Sequence, residues 1–190
     1  MSYSNQLNLT DAARQEMLER GFHPEFSDQV RAQVAQAKLE SASAQFRLSP
    51  DVRDLRDLPW SSIDNDTSRD LDQIEVVEQI PGGAARVLIG IADVDALVEK
   101  GSPIDLHAQA EATTVYTGVE TFPMLPEELS TDLTSLLEGV DRRCMVVEVV
   151  VGSDAAIQCG QAYPALVRNQ AQLTYSKVGP WLEGKAEADA

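Results

Sequence analysis

IDNDTSRDLDQIEVVEQIPGGAARVLIGIADV, residues 63–94, is the stretch whose reading decides the fold. Its second half holds two β-prone runs, IEVVEQI (74–80) and RVLIGIADV (86–94), on either side of Pro81-Gly82-Gly83. Branched aliphatics suit a pleated surface, and the Pro-Gly-Gly step supplies a tight turn, so the pair predicts two antiparallel strands. Its first half places Asp64, Asp66, Asp70, Asp72 and Glu75 within 12 positions. Carboxylates this dense repel one another, so the segment either faces water or holds a cation. A donor set made only of oxygen suits magnesium or calcium and not zinc.

Outward from this stretch the texture changes. Toward the N-terminus, LTDAARQEMLERG (9–21) predicts a helix capped by Thr10 and ended by Gly21, and SDQVRAQVAQAKLESASA (27–44) a second one capped by Ser27. Val30, Val34 and Leu39 fall at roughly helical spacing. These helices form an arm over residues 1–50, and residues 51–190 form the main body. Toward the C-terminus, PIDLHAQAEA (103–112) predicts a helix with Pro103 at its first position. CMVVEVVV (144–151) reads as a strand, AAIQCGQAYPALVRNQ (155–170) as a strand pair or an extended arm, and TYSKVGPWLEG (174–184) as a short helix interrupted near Gly179-Pro180. Strands in the middle and helices at the ends give an α+β fold.

Composition bounds the function. The 190 residues are 43% hydrophobic with a net charge of −16, an acidic balance opposite to that of a surface that grips phosphates unaided. Cys144 and Cys159 form no Cys-x-x-Cys pair and no disulfide framework, and Cys144 reads as a buried small hydrophobe. The first residues lack an apolar signal region and no run approaches 18 apolar residues, so the expectation is a cytoplasmic protein with no membrane span.

Three readings of the carboxylate cluster compete. An EF-hand loop is favoured by Asp64, Asp66, Ser68, Asp70, Asp72 and Glu75 at its ligand spacing, but Arg69 stands where a glycine is needed, and the β-prone flank disagrees with a helix. A nuclease-type magnesium site would leave open positions for phosphate oxygens and water, the metal activating water and stabilising phosphoryl charge. A solvated acidic loop is the third reading.

Beyond the cluster, IDNDTSRDLDQ resembles the signature of the ribonuclease II-type (RNB) exoribonucleases, an Ile-Asp pair followed by an Asp-hydrophobe-Asp-Asp group. The resemblance continues in register through VLIGIADVDALVEKGSPIDLHAQ and TTVYTGVETFPMLPEELSTDLTSLLEGVDRRCMVVEVVV to QLTYSKV (172–178), covering about residues 53–184. It implies an RNB-type catalytic domain, a mixed or antiparallel sheet with flanking helices, preceded here by the short helical arm. It also implies a magnesium-dependent enzyme, with manganese as a substitute, that degrades single-stranded RNA from its 3′ end to nucleoside 5′-monophosphates. Carried over by position, Asp64, Asp70 and Asp72 match three of the four motif aspartates, which are catalytic and hold the metal. Gln73 takes the fourth place, and Tyr116 matches the tyrosine that packs on the 3′-terminal nucleotide.

The chain departs from that pattern at Gln73, whose amide is a weaker ligand than a carboxylate. It also lacks the later part of the domain, with its arginine and glutamate, and the RNA-binding barrels. The resemblance thus implies an incomplete piece, inactive in isolation, with a second chain supplying the remainder. The alternative is a non-catalytic RNB-like remnant that binds a partner or RNA without cleaving it. His23 and His107 have no partners at metal spacing, Asp93 and Asp95 read as turn residues, and Trp60 and Trp181 as core residues.

Overall fold

The turn at Pro81-Gly82-Gly83 forms as expected, in a computed structural model that describes residues 8–43 and 50–187. Gly82 and Gly83 have φ of 91° and 77°, a region open to glycine at no steric cost. They join β3 (Gln73–Ile80) to β4 (Ala84–Ala92), paired antiparallel from Gln73↔Ile91 to Ile80↔Ala84.

Around this hairpin grows a seven-stranded mixed sheet. Its other members are β1 (Arg53–Asp54), β2 (Ser61–Asp64), β7 (Asp141–Val151), β8 (Ile157–Arg168) and β9 (Ala171–Thr174). The order is β1-β8-β7-β4-β3-β2-β9, antiparallel inside and parallel at both edges, where β1 meets β8 and β9 meets β2. This is the α+β class with a mixed sheet. The segment 155–170 is neither a strand pair nor an arm: β8 is one strand of 12 residues laid along β7, with a register shift at Val150/Val151. Pairing along its whole length satisfies its backbone groups, which an arm would leave to water.

Alternation along the strands decides which face is covered. Ile74, Val76, Leu88, Cys144, Val146, Tyr163, Ala165 and Val167 point to one face and are buried with Trp60, Leu71 and Leu136. Gly90 belongs to this face, where a Cβ would lie 3.0 Å from Ile74, 3.3 Å from Cys144 Sγ and 3.4 Å from Trp60. Burial pushes the Cys144 thiol up to about 12, consistent with an inert core cysteine. The Trp60 indole N–H donates to the Leu55 carbonyl at 2.8 Å, so its one polar group is satisfied inside the core.

Chain contacts divide the protein into two compact units, Met1–Ser43 with Leu97–Glu128, and Ala44–Ala96 with Leu129–Ala190. The second holds the sheet and α4 (Tyr175–Leu182). The first holds α1 (Leu9–Glu19), α2 (Asp28–Ser43), α3 (Pro103–Glu111) and a small hairpin, β5 (Val115–Tyr116) with β6 (Thr121–Phe122). In it Gln33 of α2 donates to Ser102 Oγ and accepts from the Ile104 amide, fixing α2 against the start of α3.

The helix ends differ in detail from expectation. Asn8, not Thr10, caps α1, because its side-chain oxygen accepts from the amides of Thr10 and Asp11. Ser27 caps α2 through the Val30 amide at 3.3 Å, whereas Ala44, the last residue expected in that helix, lies outside the described residues. α4 runs through Gly179-Pro180 rather than breaking there. Pro180 is its sixth residue, so the residue four before it is Ser176, in the first turn, where the helix has few bonds to lose. No described helix is long and apolar enough to cross a membrane.

Candidate active site

Antiparallel pairing brings the two ends of the acidic segment together. β2 ends at Asp64, and its neighbour β3 starts at Gln73, with Ser61 opposite Glu75. Asp64, Asp72 and Gln73 therefore share one end of the sheet, and residues 65–71 loop between them. Strands flank this loop on both sides, which removes the EF-hand reading, since that motif needs a helix on each side.

The loop is held by hydrogen bonds along its length. The Asp64 carboxylate accepts from the Asn65 amide at 2.7 Å and from the Ser68 hydroxyl at 2.6 Å. Asp66 accepts from the Ser176 hydroxyl at 2.8 Å, and Ser176 shares a 3.0 Å bond with Thr174, the register partner of Asp64 on β9. On the other side Ser135, buried, donates to the Arg69 carbonyl at 2.7 Å and accepts from the Leu71 amide at 3.0 Å. Leu71 is 1% exposed and joins the core, while Asp70 and Asp72 on either side of it are exposed. One buried leucine between two aspartates thus turns both acids to solvent.

Glu75 follows on β3, and its carboxyl is held above the usual range, first by burial and then by the charge of Asp72. With Pro59, Ser61, Ile63, Gln73, Val77 and Tyr175 it lines a cleft of about 500 Å³ on the face away from the core.

The donor chemistry fits a hard cation: carboxylates, an amide carbonyl and hydroxyls, with no nitrogen or sulfur ligand. Among the described residues, however, no three His, Cys, Asp or Glu side chains lie close enough together to hold a metal ion. The arrangement fits an open magnesium site, which typically takes one or two carboxylates and completes its shell with water and substrate phosphates, and not a closed protein cage.

Tyr116 belongs to β5 in the other compact unit, pairs with Thr121 across the hairpin, and is 75% exposed. Asp93 accepts from the Ala96 amide at 3.2 Å and pairs with Arg143 at 3.3 Å, the local turn role expected of it. His23 bonds the buried Glu111 at 3.1 Å, and His107 packs on Phe26 with ring centroids 4.6 Å apart. Trp181 is 46% exposed and so is not the core residue expected. Ser135 escaped sequence reasoning. Its only signal was its place in LTSLLEG, and a serine among leucines gives no hint of which backbone it will bond.

Residues 52–190 match the RNB domain family. The chain belongs to the RNB family. Residues of this RNB chain are 42% identical to ribonuclease R of Escherichia coli over 131 residues, 69% of this chain and 16% of that protein. They are 36% identical to exoribonuclease 2 of Cronobacter sakazakii over 135 residues, 70% of this chain and 21% of that protein. Among solved structures, Mycoplasma genitalium RNase R in complex with ribose-methylated single-stranded RNA superposes with a TM-score of 0.83 at 28% identity, covering 98% of this chain and 28% of that one. The chain thus spans between about a sixth and just over a quarter of the length of these relatives.

Proposed function

We propose that the protein carrying this chain is a 3′-5′ exoribonuclease acting on single-stranded RNA in the cytoplasm, and that these 190 residues contribute its carboxylate loop. The observation that carries the reading is the pairing of β2 with β3, which sets Asp64, Asp72 and Gln73 at one sheet end with Asp70 exposed beside them. Kinship with proteins named ribonuclease R and exoribonuclease 2 supports the reaction class.

In this reading Asp64, Asp70, Asp72 and the Gln73 carbonyl contribute ligands to magnesium, or to manganese in its place. Bound there, such an ion would supply Lewis-acid chemistry, polarising a phosphate and making a water more acidic. The chain's own residues do the rest. Ser68 and the Asn65 amide orient Asp64 through one carboxylate oxygen, and the strand ends fix Asp72 and Gln73. Glu75 lines the neighbouring cleft, its carboxyl raised above the usual range by burial and by Asp72. Tyr116 offers an exposed ring on which the 3′-terminal base can stack. In the hydrolysis, water forms a new bond to phosphorus while the bond to the upstream 3′-oxygen breaks, releasing a nucleoside 5′-monophosphate. A second chain, or further residues of the same protein, supplies the positive surface that a chain of net charge −16 lacks.

The remnant reading, in which the chain binds without cleaving, has one observation on its side: no three described carboxylates gather. The test separates the two. The protein isolated from its own cells, with whatever is bound to it, is incubated with 5′-labelled single-stranded RNA and magnesium. The expected outcome is stepwise shortening from the 3′ end with nucleoside 5′-monophosphates as products, while the 190 residues alone leave the RNA full length. Intact RNA in both samples would leave the remnant reading standing.

A further inference from the structure

Four consecutive peptide groups of the carboxylate loop are hydrogen-bonded to the rest of the sheet unit, and one buried hydroxyl holds two of them. The peptide between Arg69 and Asp70 gives its carbonyl to Ser135 Oγ at 2.7 Å, and the peptide between Asp70 and Leu71 gives its N–H to the same oxygen at 3.0 Å. The Leu71 carbonyl accepts from the Leu136 amide, and the Asp72 carbonyl from the Ala92 amide, at 2.8 and 2.9 Å. Peptide groups are planar, so fixing the plane on each side of a residue fixes both of its backbone torsions. Ser135 thereby sets φ and ψ of Asp70, and with them the direction in which that carboxylate leaves the chain. Its donor and acceptor capacities are both used, by the residues directly before and after Asp70.

Ser135 is itself held. It follows a π-helical turn, Leu129–Leu133, a form often found at functional sites. Arg142 of β7 donates to the Ser135 carbonyl at 3.0 Å and to the Asp132 carbonyl at 2.8 Å. Thr134 closes the turn from inside, donating to the Leu129 carbonyl through its amide at 3.0 Å and its hydroxyl at 2.9 Å. The line of support runs from Arg142 through Ser135 to the two peptides that bracket Asp70.

We infer that Ser135 is a positioning residue for metal binding, acting through Asp70 by clamping the peptide on each side of it. The inference rests on the reading of this loop as the metal-binding segment of an RNB enzyme. Without the hydroxyl, Asp72 stays held by Ala92 and Leu136, but Asp70 is free to turn. The metal then loses one preset ligand rather than the loop its fold. Thr134 provides the matched control, a neighbouring buried hydroxyl of the same turn that donates to the Leu129 carbonyl instead of the backbone of residues 69–72.

The experiment is a manganese titration of the 190-residue chain, reading free manganese by electron paramagnetic resonance, with melting curves for each variant. Support groups that orient metal ligands typically matter by one to two orders of magnitude, so Ser135→Ala should bind roughly ten-fold more weakly, with Thr134→Ala within about two-fold of the wild type. The double variant Asp70→Asn with Asp72→Asn should be weaker than Ser135→Ala. Equal weakening in Ser135→Ala and Thr134→Ala would mean general loosening of the turn and would overturn the inference. So would wild-type affinity in Ser135→Ala while the double variant is weakened, an outcome that leaves the reading of the loop intact. A double variant that binds as the wild type does, or a wild type that binds no manganese, would overturn the reading of the loop and the inference with it.

Discussion

Gln73 puts an amide at the first position of β3, exposed and next to Asp72, where the family signature carries a fourth aspartate. An amide offers a dipole to a cation where a carboxylate offers a full charge. One added charge a few ångströms from a cation is worth on the order of 1–4 kcal/mol near a protein surface, so Gln73→Asp should lower the magnesium concentration for half-maximal RNA decay by roughly ten-fold. Repulsion opposes this gain. The Glu75 carboxyl is already raised above its ordinary range by burial and by Asp72, and a further carboxylate on the same strand face adds repulsion in the metal-free protein. The variant should therefore melt lower than the wild type in chelator and recover in magnesium. A magnesium titration of decay beside melting curves with and without chelator checks both halves; an unchanged requirement would mean that position 73 faces away from the ion. The aspartates themselves were legible in the sequence, because side-chain chemistry and spacing can be read from a string. Their supports were not: Ser68 on Asp64, Ser176 on Asp66 and Ser135 on the backbone are set by folding, up to 110 residues apart along the chain.

Among the elements, β3 and β4 were the most legible, since two aliphatic runs around Pro-Gly-Gly leave little choice of structure. β9 and β1 were not, because Ala-Gln-Leu-Thr and Arg-Asp at a sheet edge carry no strong pattern; Ala171–Thr174 pairs in parallel with β2. α4 continues past Pro180 because its missing N–H would have bonded only the Ser176 carbonyl, in the first turn, so a single bond is lost. Within β4, Gly90 lies against the residues that cover the core face, with little room for a side chain. Gly90→Ala would push a methyl to 3.0 Å from Ile74 and 3.3 Å from Cys144 Sγ, with the indole of Trp60 also against it. Overpacking of this kind costs about 1–3 kcal/mol. The melting temperature should fall by several degrees, whereas Gly118→Ala, with nothing within 4 Å of the added atom, should leave it in place. Equal melting of the two variants would show that the core face yields more easily than its contacts imply.

At the scale of the whole molecule, fold and charge point to shared work. The family match over residues 52–190 and the TM-score of 0.83 give the architecture, while 31 acidic against 15 basic residues give a surface that repels RNA except where a cation or a basic partner intervenes. The division into two compact units was not legible, because Leu97–Glu128 joins the N-terminal helices across a stretch of sequence with no change in composition. The central claim is that the acidic loop between β2 and β3 is the site of RNA hydrolysis. The direct measurement is decay of 5′-labelled single-stranded RNA, in magnesium, by the natural protein and by its Asp72→Asn variant at equal concentration, with retention of RNA on a filter read in parallel. Removing a charge that acts on the transition state lowers rate far more than binding. The account predicts that Asp72→Asn retains RNA as the wild type does and shortens it at least about a hundred-fold more slowly, the scale seen when one electrostatic group of an active site is lost. Decay at the wild-type rate in Asp72→Asn would contradict it.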